Sequence, residues 1–299
     1  MTLTSALDPA TGRPVAARRE ADLRRIRAIL GTVATHAVAI AVALCFLLPL
    51  LICVITSVMT QQQAGTGALW PHPFRWANFG DVFHDMPFAR DLWNTLLYAG
   101  LSTFGVLISS VPVAYALARM SFRGRDSLFM VVLATMMIPA QVTSLPLYVV
   151  FSQLGWVDSL KPLIIPSFFG DAFSIFLLRQ FFLTIPTELT EAAKVDGAGD
   201  FRILRSVVVP ISKPAIAAVG LFSFLYAWND FYNPLLYTGN STTSQTLAVG
   251  LTTLAKSAHQ NAYQLQMAAS IIFLAPVLVL FFFAQKVFVE GVTLTGVKG

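Results

Sequence analysis

Residues 191–214, EAAKVDGAGDFRILRSVVVPISKP, stand between two long apolar runs, and carry charge and small side chains where the flanking chain carries few. Just upstream, Thr187 is expected as an N-cap with Thr190 and Glu191 behind it, and Ala192 and Ala193 are good helix formers of little bulk. A short helix is therefore expected from Pro186 to Val195. Gly197 can take positive φ and stop it, and Gly199 adds freedom. Phe201, Ile203, Leu204 and Val207 then supply an apolar side before Pro210 and Pro214. The expectation is a helix-turn-helix with small side chains at its tip, lying at a membrane surface because of what flanks it.

Working outward, 56% of the 299 residues are hydrophobic and only 12% are charged, too little polar surface for a soluble globule. Apolar runs long enough to cross a hydrocarbon core recur at about 36–58, 94–118, 127–150, 162–183, 215–238 and 267–288. An isolated span satisfies its backbone only as a helix, and a membrane barrel would show short alternating segments. The fold class is thus an all-α polytopic membrane protein with six transmembrane helices.

Basic residues near span ends are retained on the cytoplasmic side. Most of the 20 Lys and Arg fall in the N-terminal tail, the 2/3 loop, the quoted 4/5 loop and the C-terminal tail, so both termini are expected to be cytoplasmic. The net charge of +5 reflects this asymmetry and implies no nucleic-acid partner. Arg18, Arg19, Arg24, Arg25 and Arg27 suggest a secretory leader, but the apolar stretch after them is longer than a typical leader core, so an uncleaved first span is expected. Cys45 and Cys53 lie too far apart along one helix to form a disulfide together. His36, His72, His84 and His259 have no metal-site spacing. No catalytic, cofactor or metal site is expected, and Ser-His or paired-His arrangements that an intramembrane hydrolase needs are not found.

By composition alone, the quoted loop also suits an amphipathic connector lying on headgroups. However, Glu191-Ala192-Ala193, then Gly197, then Val207-Val-Val209-Pro210 resembles the EAA loop of ABC-importer permease subunits. Family members usually carry Ile and Leu where Val207 and Val209 stand. "AWNDFYNPLL" at 227–236 looks like the fifth span of carbohydrate-type permeases, and "GVTLTGVKG" at 291–299 looks like the tail of the smaller maltose-permease-type subunit. The resemblance implies a type I ABC-importer permease bundle in a bacterial or archaeal cytoplasmic (inner) membrane. It implies that Glu191, Ala192, Ala193, Asp196 and Gly197 form a coupling helix seated on a cytoplasmic ATPase dimer, and that the tail, with Gly296 and Lys298, reaches toward that ATPase. It further implies a second permease subunit and an extracytoplasmic solute-binding protein. Gly291, Gly296 and Lys298 do not make a phosphate-binding loop, because Val297 separates glycine from lysine and no Ser or Thr follows. The chain is therefore expected to be a transport subunit rather than an enzyme, with ATP and Mg held by the partner.

These expectations divide the chain into a tail at 1–35, a permease domain at 36–290 and a tail at 291–299. Within the domain lie the coupling loop at 186–214 and external loops at 60–92 and 239–265. Polar groups in the spans mark the route, since a mid-membrane acid costs about 2.5–3.5 kcal/mol unless it faces the bundle or water. On a continuous helix Phe222, Tyr226, Asn229, Asp230 and Asn233 share one face, while Phe224, Leu225, Trp228, Phe231 and Leu235 cover much of the rest. Ser167, Asp171 and Ser174 share a face in span four, and Gln141, Thr143 and Ser144 sit between Pro139 and Pro146, where a broken helix is expected. Asp171, Tyr226, Asn229, Asp230 and Asn233 are the candidate path residues, suited to an uncharged polyhydroxy solute. The same groups also suit interhelical hydrogen bonding. Import of a sugar is expected; a glycerol phosphate or glycerophosphodiester importer and an ion-coupled secondary transporter are the alternatives. The loop at 239–265, with His259, Gln260, Asn261, Tyr263 and Gln264, is expected to touch the binding protein.

Overall fold

The computed structural model describes residues 15–257 and 262–296, and every regular element among them is helical. His259, Gln260, Asn261 and Lys298 lie outside the described residues. Helix α1 (Val15–Ser57) runs well beyond the apolar stretch at its N-terminal end, and from Ile29 to Leu51 its side chains are exposed on every face. Only its far end enters the chain, where buried Asn78 of α3 (Asn78–Asp85) donates to the carbonyls of Ser57 and Met59, both at 2.8 Å. Between them α2 (Gln61–Thr66) is started by a capping box, Thr60 with Gln63.

Helix α4 (Phe88–Arg119) is the axis of the bundle. A stripe of small and polar residues, including Thr95, Ala99, Ser102, Gly105, Ser110 and Ala114, is buried along it and lets neighbouring backbones approach. The third span is broken: α5 (Arg125–Thr135) and α6 (Ala140–Gln153) meet at 92°, with Pro139 as the N-cap of α6. The break precedes Pro139, so Gln141, Thr143 and Ser144 are helical, and Pro146 is carried inside α6.

The fourth span is interrupted as well. It opens with α7 (Lys161–Ile164) and a 3-10 turn (Ile165–Phe169), pauses at Gly170, and resumes as α8 (Ala172–Thr184). The expected coupling element follows as α9 (Thr187–Val195), α10 (Asp200–Ile203), a π turn (Leu204–Val208) and α11 (Val209–Ile211). Pro186, not Thr187, occupies the N-cap of α9, because its fixed φ pre-sets the entry and Thr187 is already helical. The chain then turns by 82° into α12 (Lys213–Asn229).

The expected fifth span at 215–238 is not one helix. It ends at Asn229, Asp230 and Phe231 break it, and α13 (Tyr232–Thr238) begins anew. The stripe inferred by counting through Asp230 on one helix therefore fails beyond that point. The expected external loop at 239–265 contains α14 (Leu247–Ser257), whose Leu247 and Leu254 are buried with Val82, Met86 and Phe88. α15 (Tyr263–Gly296) closes the bundle and packs against α1, α3 and α12.

Among the described residues, four helices are long and apolar enough to cross a membrane, or up to six spans if each bent pair counts as one. The six-span, all-α expectation holds, although three of the six spans are built from pieces.

Candidate functional site

Two features stand out: a cavity of about 560 Å³ between α4, the interrupted fourth span and α12, lined by aromatic and hydroxyl side chains, and the α9 elbow at one end of the bundle. The cavity follows from the interruption of span four. Gly170 adopts φ +97° and ψ 150°, a backbone conformation that side chains strongly disfavour, and this turns the chain so that Asp171 becomes the N-cap of α8. Asp171 Oδ2 accepts from the Ser174 backbone N–H at 2.8 Å and from the Ser174 hydroxyl at 2.5 Å. Its own N–H donates to Ser110 Oγ of α4 at 3.3 Å, which fixes the break against the axis.

Tyr226 and Phe222, one turn apart on α12, form the opposite wall with Ser223. Tyr98 and Ser102 of α4 line the floor. The structure thus brings Asp171 and Tyr226 of the five candidate path residues to one cavity. It does not bring Asn229, Asp230 or Asn233 into the lining. Asn229 Nδ2 donates back to the Leu225 carbonyl at 2.8 Å. Asp230 accepts from the Tyr98 hydroxyl at 2.8 Å, and from the backbone N–H and Nδ2 of Asn233 at 3.2 and 3.0 Å. Its carboxylate therefore caps the start of α13 and bolts it to α4. Trp228, 1% exposed, does not face outward; it stacks between Phe224 and Phe273 of α15.

Tyr98, Ser102, Phe173 and Ser223 line the cavity without having been expected there. The signal for the first two was present in the sequence: Asn94, Tyr98 and Ser102 recur at four-residue steps, one face of an α-helix.

The elbow is held from behind. Gly197 has φ +77°, and the N–H groups of Asp196, Gly197 and Ala198 donate to the carbonyls of Ala192, Lys194 and Ala193, closing the helix end. Ala193 packs inward with Ala198, Val207 and Val209 on the chain's own core, whereas Glu191, Ala192, Asp196 and Gly197 are exposed. Close approach at Ala193 thus serves this chain's packing. Val195 and Phe201, 89% and 77% exposed, leave an apolar surface at the tip. Two arginines fasten the elbow to the bundle reciprocally. Arg119 at the end of α4 donates through Nε (2.9 Å) and Nη2 to the Phe182 carbonyl, and also to the Ile185 carbonyl. Arg179 of α8 donates in return to the Leu117 carbonyl at 3.1 Å and lies over the Phe129 ring. Each guanidinium donates to carbonyls at the other helix's end, and the Phe182 carbonyl also accepts from the Ile185 N–H. Among the described residues, no group of acidic, His or Cys side chains is placed to hold a metal ion. Gly296 ends α15, and nothing in the described residues reports on the tail beyond it.

Interrupted helices around a cavity that carries one carboxylate and several hydroxyls, with a small-residue elbow projecting from one end, define a transport permease. Residues 110–294 match the family described as "Binding-protein-dependent transport system inner membrane component", and the chain belongs to that family. It is 31% identical over 264 residues to the sn-glycerol-3-phosphate transport system permease protein UgpE of Yersinia pestis bv. Antiqua (strain Antiqua), covering 86% of this chain and 94% of that one. It is 34% identical over 212 residues to the arabinooligosaccharides transport system permease protein AraQ of Halalkalibacterium halodurans, covering 71% and 74%. Among solved structures, a bacterial ABC transporter involved in import of the acidic polysaccharide alginate contains a chain that superposes with a TM-score of 0.73 at 29% identity, over 88% of this chain and 97% of that one. The reading of the quoted loop as that of an ABC-importer permease is met by these matches.

Proposed function

We propose that this permease carries a sugar or related polyhydroxy solute into the cytoplasm, driven by an ATPase dimer that seats on the α9 elbow. The observation that carries the coupling reading is the elbow itself: a glycine-closed turn with exposed Glu191, Ala192, Val195 and Phe201, braced to α4 and α8 by Arg119. An exposed apolar tip on a rigid support is a surface made for a partner. ATP and Mg reside on that partner, and this chain holds neither. A second permease subunit covers the exposed length of α1 or the open side of the cavity, and lipid covers the remainder. A solute-binding protein docks at the end formed by α2, α3 and α14, opposite the elbow. Both termini lie on the elbow side, from the distribution of basic residues, and Lys298 lies in the tail on that side. Glu191, Ala192, Asp196 and Gly197 contact the ATPase, Ala193 supports them from behind, and Asp171 and Tyr226 face the solute.

The test uses the reconstituted complex and its loaded binding protein. Gly197→Pro removes the N–H bonded to Lys194 and cannot reach φ +77°, so stimulated ATPase activity should be lost. Val195→Asp alters only an exposed side chain and should loosen retention of the ATPase during purification. Full stimulation in both variants would remove the elbow from the coupling path.

A further inference from the structure

We propose that the cavity selects solutes rich in hydrogen-bond donors and free of negative charge, because its wall presents acceptors and a carboxylate but no fixed side-chain donor. This rests on the transport reading above and adds to it the sign and polarity of the solute.

Follow the hydroxyl protons. Tyr98 donates to Asp230 at 2.8 Å, Ser102 to the Leu163 carbonyl at 3.2 Å and Ser174 to Asp171 at 2.5 Å. Each proton is committed inside the chain, so each of these oxygens has only lone pairs left to offer. The hydroxyls of Ser167, Ser223 and Tyr226 can rotate into either role. Among the described residues, no Lys, Arg, His, Asn or Gln lines the cavity.

One feature opposes this bias. The N-terminus of α8 faces the cavity, and a helix N-terminus acts as roughly half a positive charge that draws anions. Asp171 occupies that terminus as its N-cap. A full negative charge at the same place outweighs the half charge, so the local field is negative. A phosphate or uronate would meet repulsion from Asp171, with only rotatable hydroxyls and the α8 terminus to donate to it. A neutral polyol meets acceptors for its hydroxyls, and an ammonium-bearing sugar would fit as well. Of the three compared proteins, two are named for anionic solutes, a glycerol phosphate and alginate, and one for neutral arabinooligosaccharides, so similarity alone does not set the sign.

The field can be measured without knowing the solute. Cys45 and Cys53 are replaced by serine in the full-length chain. A single cysteine is placed at Ser223 in the cavity, or at exposed Thr66 as reference, within the assembled complex in proteoliposomes. Rates with a cationic and an anionic methanethiosulfonate of similar size are compared. The cation-to-anion ratio at Ser223→Cys should exceed that at Thr66→Cys by about fivefold or more, as expected for one unit charge within several ångströms at intermediate dielectric. Asp171→Asn, which keeps the cap but not the charge, should bring the two ratios within about twofold. If that variant does not assemble, raising the salt concentration on the parent protein should shrink the ratio in the same direction. Equal ratios at the two sites, a faster anionic reagent, or no reaction at Ser223→Cys while Thr66→Cys reacts would each overturn the proposal. Intact ATPase stimulation in the elbow variants would instead undermine the coupling reading and leave the labelling result standing.

Discussion

Asp171 and Asp230 are two uses of one device. Each interrupts an apolar span, each accepts from the N–H three residues on, Ser174 or Asn233, and each break is pinned to α4, one by Ser110 and the other by Tyr98. They differ in what is left over. Asp230 spends both oxygens on its own chain, whereas Asp171 gathers its two bonds on Oδ2 at the cavity edge and leaves Oδ1 without a protein donor among the described residues. A mid-membrane acid is therefore not by itself a sign of the route; its remaining hydrogen-bonding capacity is.

The sharpest way to break this comparison is to truncate both. Asp230→Ala removes three hydrogen bonds, strands the Tyr98 hydroxyl and frees the start of α13, a loss of about 2–4 kcal/mol. Asp171→Ala removes an N-cap bond and the acceptor of the Ser174 hydroxyl, which can rotate to another partner, about 1–2 kcal/mol. Thermal melting of the solubilised complex should fall clearly in the first and slightly in the second. Equal losses would mean the two acids are doing the same job.

A smaller effect is expected at the turn that creates the cavity. Gly170→Ala places a side chain at φ +97°, with Ile175 Cδ1 only 3.3 Å from the new Cβ, for about 1–3 kcal/mol. The variant should melt lower and also slow reaction of a cysteine at Ser223. Unchanged melting and labelling would mean that the break needs no glycine. Smallest should be Tyr98→Phe, which removes one of three donors to Asp230, about 0.5–1.5 kcal/mol. If it destabilises as much as Asp230→Ala, the bolt lies in Tyr98 rather than in the cap.

Much of this was legible in the residues. Hydropathy located six spans, and the spacing from Glu191 to Pro210 located the elbow and its positive-φ glycine. The two breaks were hidden because an apolar run reads the same whether its helix is continuous or not, and Asp-x-x-Ser and Asp-x-x-Asn become caps only once the chain has already turned. Tyr98 was missed because its partner lies 132 residues away, a distance over which one sequence carries no pairing signal. Helix α14 is hidden in the sequence because turn-forming residues 239–244 and polar residues near 260 dominate the segment around it. Ala193 has the small size that docking requires, yet small size serves equally well against the chain's own buried core.

The paired arginines at the end of α4 have a mechanical consequence. At 1.5 Å per residue, this helix is a rod roughly 48 Å long. Arg119 and Arg179 rivet one end of it to α8, next to the elbow, while Tyr98 and Ser110 hold the two breaks farther along its length. Pivoting such a rod about its middle by a few degrees displaces its ends by about 1 Å in opposite directions, as its length dictates. Phe182 and Ile185 therefore sit where a displacement would act on the end of this rod, and Pro112, inside it, is the place where it can bend.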